Sequence, residues 1–88
     1  MEITFDLSND FININKHGLS LAQASGVDWA AAITWSDPRR TCGEQRLAGL
    51  GYVGNRLLHI VFVDRSQERR IISLRRANQK EIHRYAQA

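Results

Sequence analysis

Residues 44–76 decide the fold, and they read EQRLAGLGYVGNRLLHIVFVDRSQERRIISLRR. Three apolar segments rich in β-branched residues predict strands at about 44–53, 56–64 and 69–76. The pair Gly54-Asn55 between the first two predicts a tight hairpin. Because short turns join only antiparallel neighbours, these strands predict an antiparallel sheet.

The segments on either side add helices and two further strands. Alternation in Glu2–Phe5 predicts a first strand. Ser8 and Gly18 suit the start and end of one helix, and Ser20 with Gln23 predicts a second. The remaining predictions are a strand at Trp29–Trp35, a loop over residues 36–43 and a last helix capped by Asn78 with Glu81. The order β-α-α-β-β-β-β-α predicts an α+β fold, with helices packed on one face of the sheet and the other face open.

The composition describes one small basic domain. Eighty-eight residues, 43% apolar and 24% charged, suit a single folded domain over residues 1–88. Residues 1–63 carry 5 basic and 6 acidic side chains, a net −1, whereas residues 64–88 carry 7 and 3, a net +4. An arginine-rich segment suits an anionic partner such as RNA, and a solvated surface is the equally weighted alternative.

Several classes of protein are disfavoured by the sequence. Cys42 is the one cysteine, so no internal disulfide forms, and no apolar run reaches the roughly 20 residues that span a bilayer. We therefore expect a cytoplasmic protein without a membrane segment. The spacing of Cys42, His17, His59 and His83 matches no zinc motif, so no metal or other cofactor is expected. No glycine-rich phosphate loop is present.

Three pairs of residues are candidates for chemistry. Alternation in the last strand puts Arg70 and Arg76 on one face and Arg75 on the other, and adjacent arginines at a strand end suit a phosphate. The alternative is a charged edge that prevents aggregation. Each remaining pair has a structural alternative that is the more common one. Glu44 and Arg46 could act as a base and a phosphate-binding cation, but they could also form a surface ion pair. Lys16 and His17 could transfer protons, but they could also complement the dipole of the first helix. His59 and His83 are interpreted as packing or surface residues.

These residues resemble the BrnT-type toxins. The N-terminal pattern N-x-x-K-H-G-x-x-(F/L)-x-x-A is matched by Asn13, Lys16-His17-Gly18, Leu21 and Ala24. The D-x-R…G-E-x-R segment is matched by Asp37, Arg39 and Gly43-Glu44-Gln45-Arg46, and the G…G-R-x-L hairpin by Gly51, Gly54, Arg56 and Leu57. The ending R-I-I-S-A-R-x-A…E…Y is matched by residues 70–77, with Leu74 in place of alanine, and by Glu81 and Tyr85.

The resemblance implies a RelE-like fold with a curved antiparallel sheet and an endoribonuclease toxin that blocks translation and growth. It also implies a hetero-oligomer with a BrnA-type antitoxin whose ribbon-helix-helix domain binds DNA. The candidate catalytic residues that it implies are Lys16, His17, Glu44, Arg46, Arg75 and Arg76, with Arg65 and Arg70 as substrate-binding residues.

The mechanism expected from these residues is a metal-independent attack of the RNA 2′-hydroxyl on the adjacent phosphate. Arg75, Arg76 and Arg46 would stabilise the charge on phosphorus. Glu44 or His17 would take the proton, and Lys16 or His17 would assist the leaving oxygen. Two alternatives stay open: a non-catalytic nucleic-acid-binding module on the same basic sheet, and a former toxin that only binds its antitoxin.

Overall fold

A computed structural model describes residues 1–41 and 43–88, including all of their side chains except those of Arg40 and Thr41. The chain forms one five-stranded sheet with two α-helices and a 3₁₀ helix. In chain order the elements are β1 (Glu2–Phe5), α1 (Leu7–His17), the 3₁₀ helix (Leu21–Gly26), β2 (Ile33–Thr41), β3 (Glu44–Val53), β4 (Arg56–Arg65), β5 (Glu68–Arg76) and α2 (Gln79–Ala86). The α+β class and the three strands of residues 44–76 are thus confirmed, with the strand ends within one residue of the prediction.

The sheet is mixed, with the strand order β1-β5-β4-β3-β2. The four strands β2 to β5 pair with one another in antiparallel fashion, as predicted. The expectation of a wholly antiparallel sheet is wrong at β1, which pairs parallel to β5 from Glu2–Glu68 to Phe5–Ile71. Because β1 is separated from β5 by most of the chain, no short turn determines its direction.

The helices lie on both faces of the sheet, and the prediction of helices on one face is wrong. On one face, Leu21 and Ala24 of the 3₁₀ helix join Ile60 and the other core residues of β4. On the opposite face, Tyr85 of α2 packs edge-on against Tyr52 of β3, with ring centroids 5.3 Å apart. The physical reason is β4, which is apolar on both faces over most of its length and therefore needs cover on both.

A bulge in β5 changes which arginines share a face. Val61 pairs with Ser73 but Phe62 pairs with Ile71, so Ile72 is an extra residue that breaks the alternation. The predicted sharing of a face by Arg70 and Arg76 is therefore wrong. Arg70 and Arg75 lie opposite Val63 and His59, on one face of the sheet, whereas Arg76 lies opposite the core residue Leu58.

Residues 36–41, predicted as the first part of a loop, belong to β2. The register of β2 against β3 is irregular between Ser36 and Arg40. Since β2 is an edge strand, Pro38 is accepted there without removing a hydrogen bond from the middle of the sheet. The strand predicted at Trp29–Trp35 begins only at Ile33. Cys42 lies outside the described residues.

Local capping signals are mostly confirmed. Gly18 ends α1 with a left-handed φ of 74°, and Ser20 caps the 3₁₀ helix. Asn78 and Glu81 form the predicted capping box of α2. The predicted cap Ser8 is wrong: Asp6 caps α1, because its carboxylate accepts hydrogen bonds from the backbone N–H groups of the first turn and from the Ser8 hydroxyl.

The described residues contain no helix with the length and apolar character needed to cross a bilayer. The outer side of α1 is nevertheless apolar, because Leu7, Phe11 and Ile14 recur at helical spacing and are 79%, 70% and 45% exposed. We call these three residues the α1 apolar stripe.

Candidate active site

Asn13 attaches α1 to the free part of the β5 edge. Its side-chain amide donates to the carbonyl oxygens of Leu19 and Leu74, at 2.8 Å each, and its oxygen accepts from the Leu74 N–H at 3.1 Å. The side chain thus continues the pairing of β5 beyond the point where β1 ends at Phe5. Because Asn13 is 3% exposed, these bonds are made away from water and hold the last turn of α1 in place.

Between α1 and the sheet lies a cavity of about 370 Å³. Elements far apart in sequence supply its basic side chains: α1, β2, β3, β4 and β5. These side chains are Lys16, His17, Arg39, Arg46, His59 and Arg75. None of the described residues that line the cavity is acidic. A concave site with this many cations is suited to an anion such as a phosphodiester.

Arg75 is held in one orientation by Glu81. The two guanidinium NH₂ groups each donate to one carboxylate oxygen of Glu81 at 2.9 Å. The same carboxylate accepts from the backbone N–H of Asn78, so the capping box of α2 also positions Arg75. Burial raises the pKa of Glu81, but the hydrogen bonds from Arg75 and Asn78 and the charges of His59 and Arg75 together lower it by more, so the carboxylate stays charged.

Arg46 has a buried group without a partner. Its Nε atom is shielded from solvent and makes no hydrogen bond to any of the described residues. A buried N–H group without an acceptor costs roughly 1–3 kcal/mol. An anionic oxygen bound in the cavity would supply the missing acceptor, which makes Arg46 a candidate phosphate ligand.

Arg39 is oriented by the buried carboxylate of Asp37. The Nε and one NH₂ group of Arg39 each lie 3.3 Å from an oxygen of Asp37. Hydrogen bonds from Arg39 hold the pKa of Asp37 below its usual value, and the charge of Arg46 lowers it further. Asp37 therefore stays ionised and keeps Arg39 at the cavity while most of the Arg39 side chain is exposed.

The two histidines of the cavity are neutral at neutral pH. Burial lowers the pKa of His17, and the charges of Lys16 and Arg75 lower it further. The pKa of His59 is also lowered, first by burial and then by Arg75, while Glu81 opposes the shift. Both imidazoles can therefore accept a proton. No group of three or more His, Cys, Asp or Glu side chains with metal-binding geometry occurs among residues 1–41 and 43–88.

Four of the eight predicted site residues line the cavity: Lys16, His17, Arg46 and Arg75. Glu44 lies outside the described lining and pairs with Arg65, whose Nε donates to it at 2.7 Å. Arg70 lies near Asp6 and Glu68, at 3.7 and 3.9 Å. The exposed Arg76 is on the opposite face of the sheet.

Sequence reasoning missed Arg39, His59 and Glu81 as parts of this site. Arg39 was placed in a loop, His59 was interpreted as a packing residue and Glu81 as a helix cap. A signal for His59 was present, because a histidine within the apolar β4 segment is an unusual choice for a central strand. Only the register with β5, which pairs His59 with Arg75, brings it to the site.

Comparisons with known proteins identify the family of the chain. The family model described as "Ribonuclease toxin, BrnT, of type II toxin-antitoxin system" matches residues 5–81. The crystal structure of the ribonuclease toxin BrnT of Brucella abortus is similar, with 26% identity and a TM-score of 0.69 over 90% of this chain and 99% of that chain. A search of curated proteins finds no match. The chain belongs to the BrnT family, the ribonuclease toxins of type II toxin–antitoxin systems.

Proposed function

We propose that this chain cleaves RNA by attack of a ribose 2′-hydroxyl on the adjacent phosphate, with no metal ion required. The observation that carries the proposal is the convergence of Lys16, Arg39, Arg46 and Arg75 on one cavity whose described lining has no carboxylate. Phosphoryl transfer builds negative charge on the phosphate oxygens, and fixed cations in a partly enclosed site stabilise that charge.

The arginines bind the phosphate. Arg75 is pre-oriented by its two hydrogen bonds to Glu81, so little side-chain entropy is lost when a phosphate binds. Arg46 offers a buried Nε that has no other acceptor among the described residues. We assign Arg76 no role in phosphate binding, because its position in β5 is on the opposite face of the sheet.

Lys16 and His17 remain candidates for proton transfer, because both line the cavity. Glu44 is a poor candidate for the base. Its pKa is lowered mainly by the hydrogen bonds from Arg65, and that ion pair occupies its oxygens outside the described lining of the cavity. Arg65 and Arg70 lie on the same face of the sheet as Arg75 and can bind RNA beyond the cleavage site.

The biological setting that we propose follows the family. Membership of a type II system implies a protein antitoxin. We propose that this antitoxin is of the BrnA type, with a ribbon-helix-helix domain through which the complex binds DNA, and that the free toxin arrests translation with a RelE-like curved sheet as its RNA-binding surface. The α1 apolar stripe supports a protein partner, since exposed apolar patches mark interaction surfaces.

The test of cleavage is incubation of the purified chain with a 5′-labelled oligoribonucleotide in excess EDTA. The proposal expects cleavage, products ending in a 2′,3′-cyclic phosphate or its hydrolysis product, and no cleavage at a position with a single 2′-deoxyribose. RNA binding that weakens steeply with salt, without any product, would instead establish the non-catalytic binding module. Cleavage that EDTA abolishes and Mg²⁺ restores would refute metal independence.

The test of the toxin role is growth after induction of the chain alone and together with its cognate antitoxin. Arrest by the chain alone, relieved by the antitoxin, is the expected result. Normal growth with folded chain present, combined with binding to the antitoxin, would show a former toxin that only binds its partner.

A further inference from the structure

We propose that His59 is the general base of the cleavage reaction and that Glu81 is its positioning residue; this inference rests on the proposed ribonuclease function. The role has two requirements: a side chain that lines the substrate cavity and a charge that stabilises the imidazolium once the proton has been taken.

His59 meets the first requirement through its place in the sheet. It lies on the central strand β4, opposite Leu50 of β3 and Arg75 of β5, and its side chain lines the cavity. The ring of Trp35 packs edge-on against the imidazole, with 6.0 Å between centroids. Arg84 in turn covers Trp35, with its guanidinium carbon 3.8 Å from the ring centroid, so the aromatic ring that contacts the imidazole is itself held by a second contact.

Glu81 meets the second requirement. Its Oε2 lies 3.7 Å from the Nε2 of His59, and both side chains are largely buried, at 14% and 16% exposed. The carboxylate cannot swing away, because it is also bound to Arg75 and to the backbone N–H of Asn78. An imidazolium formed on His59 therefore gains an ion pair without any rearrangement of α2, which is the role of the carboxylate in hydrolase triads.

The charges around His59 keep it ready to accept a proton. The groups that act on it come from three elements: Arg75 of β5, Glu81 of α2, and Asp37 with Arg39 of β2. Burial and the two arginines lower the pKa, and the two carboxylates oppose them. With its pKa below the usual 6.5, His59 is neutral at neutral pH.

His17 is less suited to be the base. It also lines the cavity, but the charges that act on it, those of Lys16 and Arg75, are both positive and would destabilise the imidazolium. The same charges keep His17 neutral at neutral pH, so Lys16, which also lines the cavity, is better suited than His17 to protonate the leaving oxygen. The charge of Arg75 lowers the pKa of both histidines.

In the proposed cleavage step, two proton transfers accompany the exchange of one bond to phosphorus for another. A nitrogen of His59 takes the proton of the 2′-hydroxyl while O2′ forms a bond to phosphorus. The bond between phosphorus and O5′ breaks, and O5′ receives a proton from Lys16. The products are a 2′,3′-cyclic phosphate and a free 5′-hydroxyl, with His59 left protonated beside Glu81.

The experiment compares His59→Asn with His17→Asn and Lys16→Met on two substrates. One is an oligoribonucleotide; the other is uridine 3′-(4-nitrophenyl phosphate), whose leaving group departs without a proton. The matched control is His83→Asn, because His83 is an exposed histidine of α2 outside the described lining of the cavity. Circular dichroism and thermal unfolding verify folding. A second substitution, His59→Gln, also removes the imidazole but fills the space differently, so an equal loss in both variants indicates loss of the base and not a packing defect.

If His59 is the base, both His59 variants lose about 10²–10⁴ in kcat/KM on both substrates, since the 2′-hydroxyl must be activated in each. The Lys16→Met variant, which lacks only the acid, loses activity on the oligoribonucleotide and recovers it on the activated ester. A folded His59→Asn protein within about threefold of the wild type, or one rescued by the activated ester, would overturn the assignment. Absence of cleavage by the wild type would refute the proposed function itself, and with it this inference.

Glu81 is tested by a pH profile. Activity of the wild type should fall as pH drops through the pKa of His59, because the base becomes protonated. Glu81→Gln removes a charge that raises this pKa, so the acid limb should move to lower pH while the maximal rate falls. An unmoved acid limb in a folded Glu81→Gln protein would show that Glu81 does not act on the base.

Discussion

The ten-residue strand β4 contributes one face to the main core and the other face to the candidate active site. On one face Leu58, Ile60 and Phe62 are 0% exposed and pack with the 3₁₀ helix in the main core. On the other face His59 and Val61 line the cationic cavity. Because side chains alternate along a strand, each site residue stands between two core residues. The site is thereby held by a strand that is mostly buried, and changes on the two faces should have separable effects.

The largest effect is expected on the core face. Phe62→Ala removes a fully buried ring that packs edge-on against Trp29 and should lower the free energy of unfolding by about 3–5 kcal/mol. Phe11→Ala is the matched control: Phe11 is 70% exposed, so its loss should change stability by less than about 0.5 kcal/mol. Urea unfolding measures both. Equal losses would mean that the α1 apolar stripe is packed in solution.

On the cavity face, Arg75→Ala should lower RNA cleavage by about 10²–10³, because a preorganised donor to the phosphate is removed. Arg76→Ala changes the adjacent arginine on the opposite face and should alter cleavage by less than about threefold. The two variants are compared by their initial rates of cleavage of a labelled oligoribonucleotide. Thermal unfolding verifies that both are folded. A larger loss from Arg76 than from Arg75 would reverse our assignment of the faces.

At the junction of α1 and β5, Asn13→Ala should affect both stability and activity. It leaves buried backbone groups of Leu74 and Leu19 unpaired and should cost about 2–3 kcal/mol of unfolding free energy. Asn15→Ala, on the exposed side of the same helix, should have little effect on either property. Chemical denaturation and cleavage rates test this pair, and an equally stable Asn13→Ala protein would contradict the anchoring role.

The smallest effect is expected from Glu44→Gln. If Glu44 only pairs with Arg65 outside the cavity, cleavage should stay within about threefold of the wild type, well short of the ~10²–10⁴ expected for a general base. The rate should be measured across pH as well as at one pH. A loss of the acid limb of the profile in Glu44→Gln would restore Glu44 as the base in place of His59.

Much of the fold was predictable from local signals. The hairpin at Gly54-Asn55, the glycine end of α1 at Gly18 and the capping box at Asn78 and Glu81 all lie within a few neighbouring residues, and all were found. The family was also recognisable, because its motifs occur in order along nearly the whole chain, and the match over residues 5–81 confirms it.

Apart from the cap of α1, which is Asp6 and not Ser8, the main errors concern long-range pairing. The direction of β1, the face covered by α2 and the strand character of residues 36–41 each depend on contacts with segments distant in sequence. A short strand such as β1 carries no signal for its direction, and turn-forming residues such as Asp37 and Pro38 are acceptable in an edge strand with an irregular register.

The sequence alone determined the family, the basic character of the C-terminal part and four of the residues that line the cavity: Lys16, His17, Arg46 and Arg75. Only the tertiary structure decided that Arg75 rather than Arg76 faces the cavity, and brought His59 and Glu81 to the site. The physical reason is that alternation along a strand is a local property, whereas the bulge at Ile72 and the pairing of His59 with Arg75 are set by hydrogen bonds between strands.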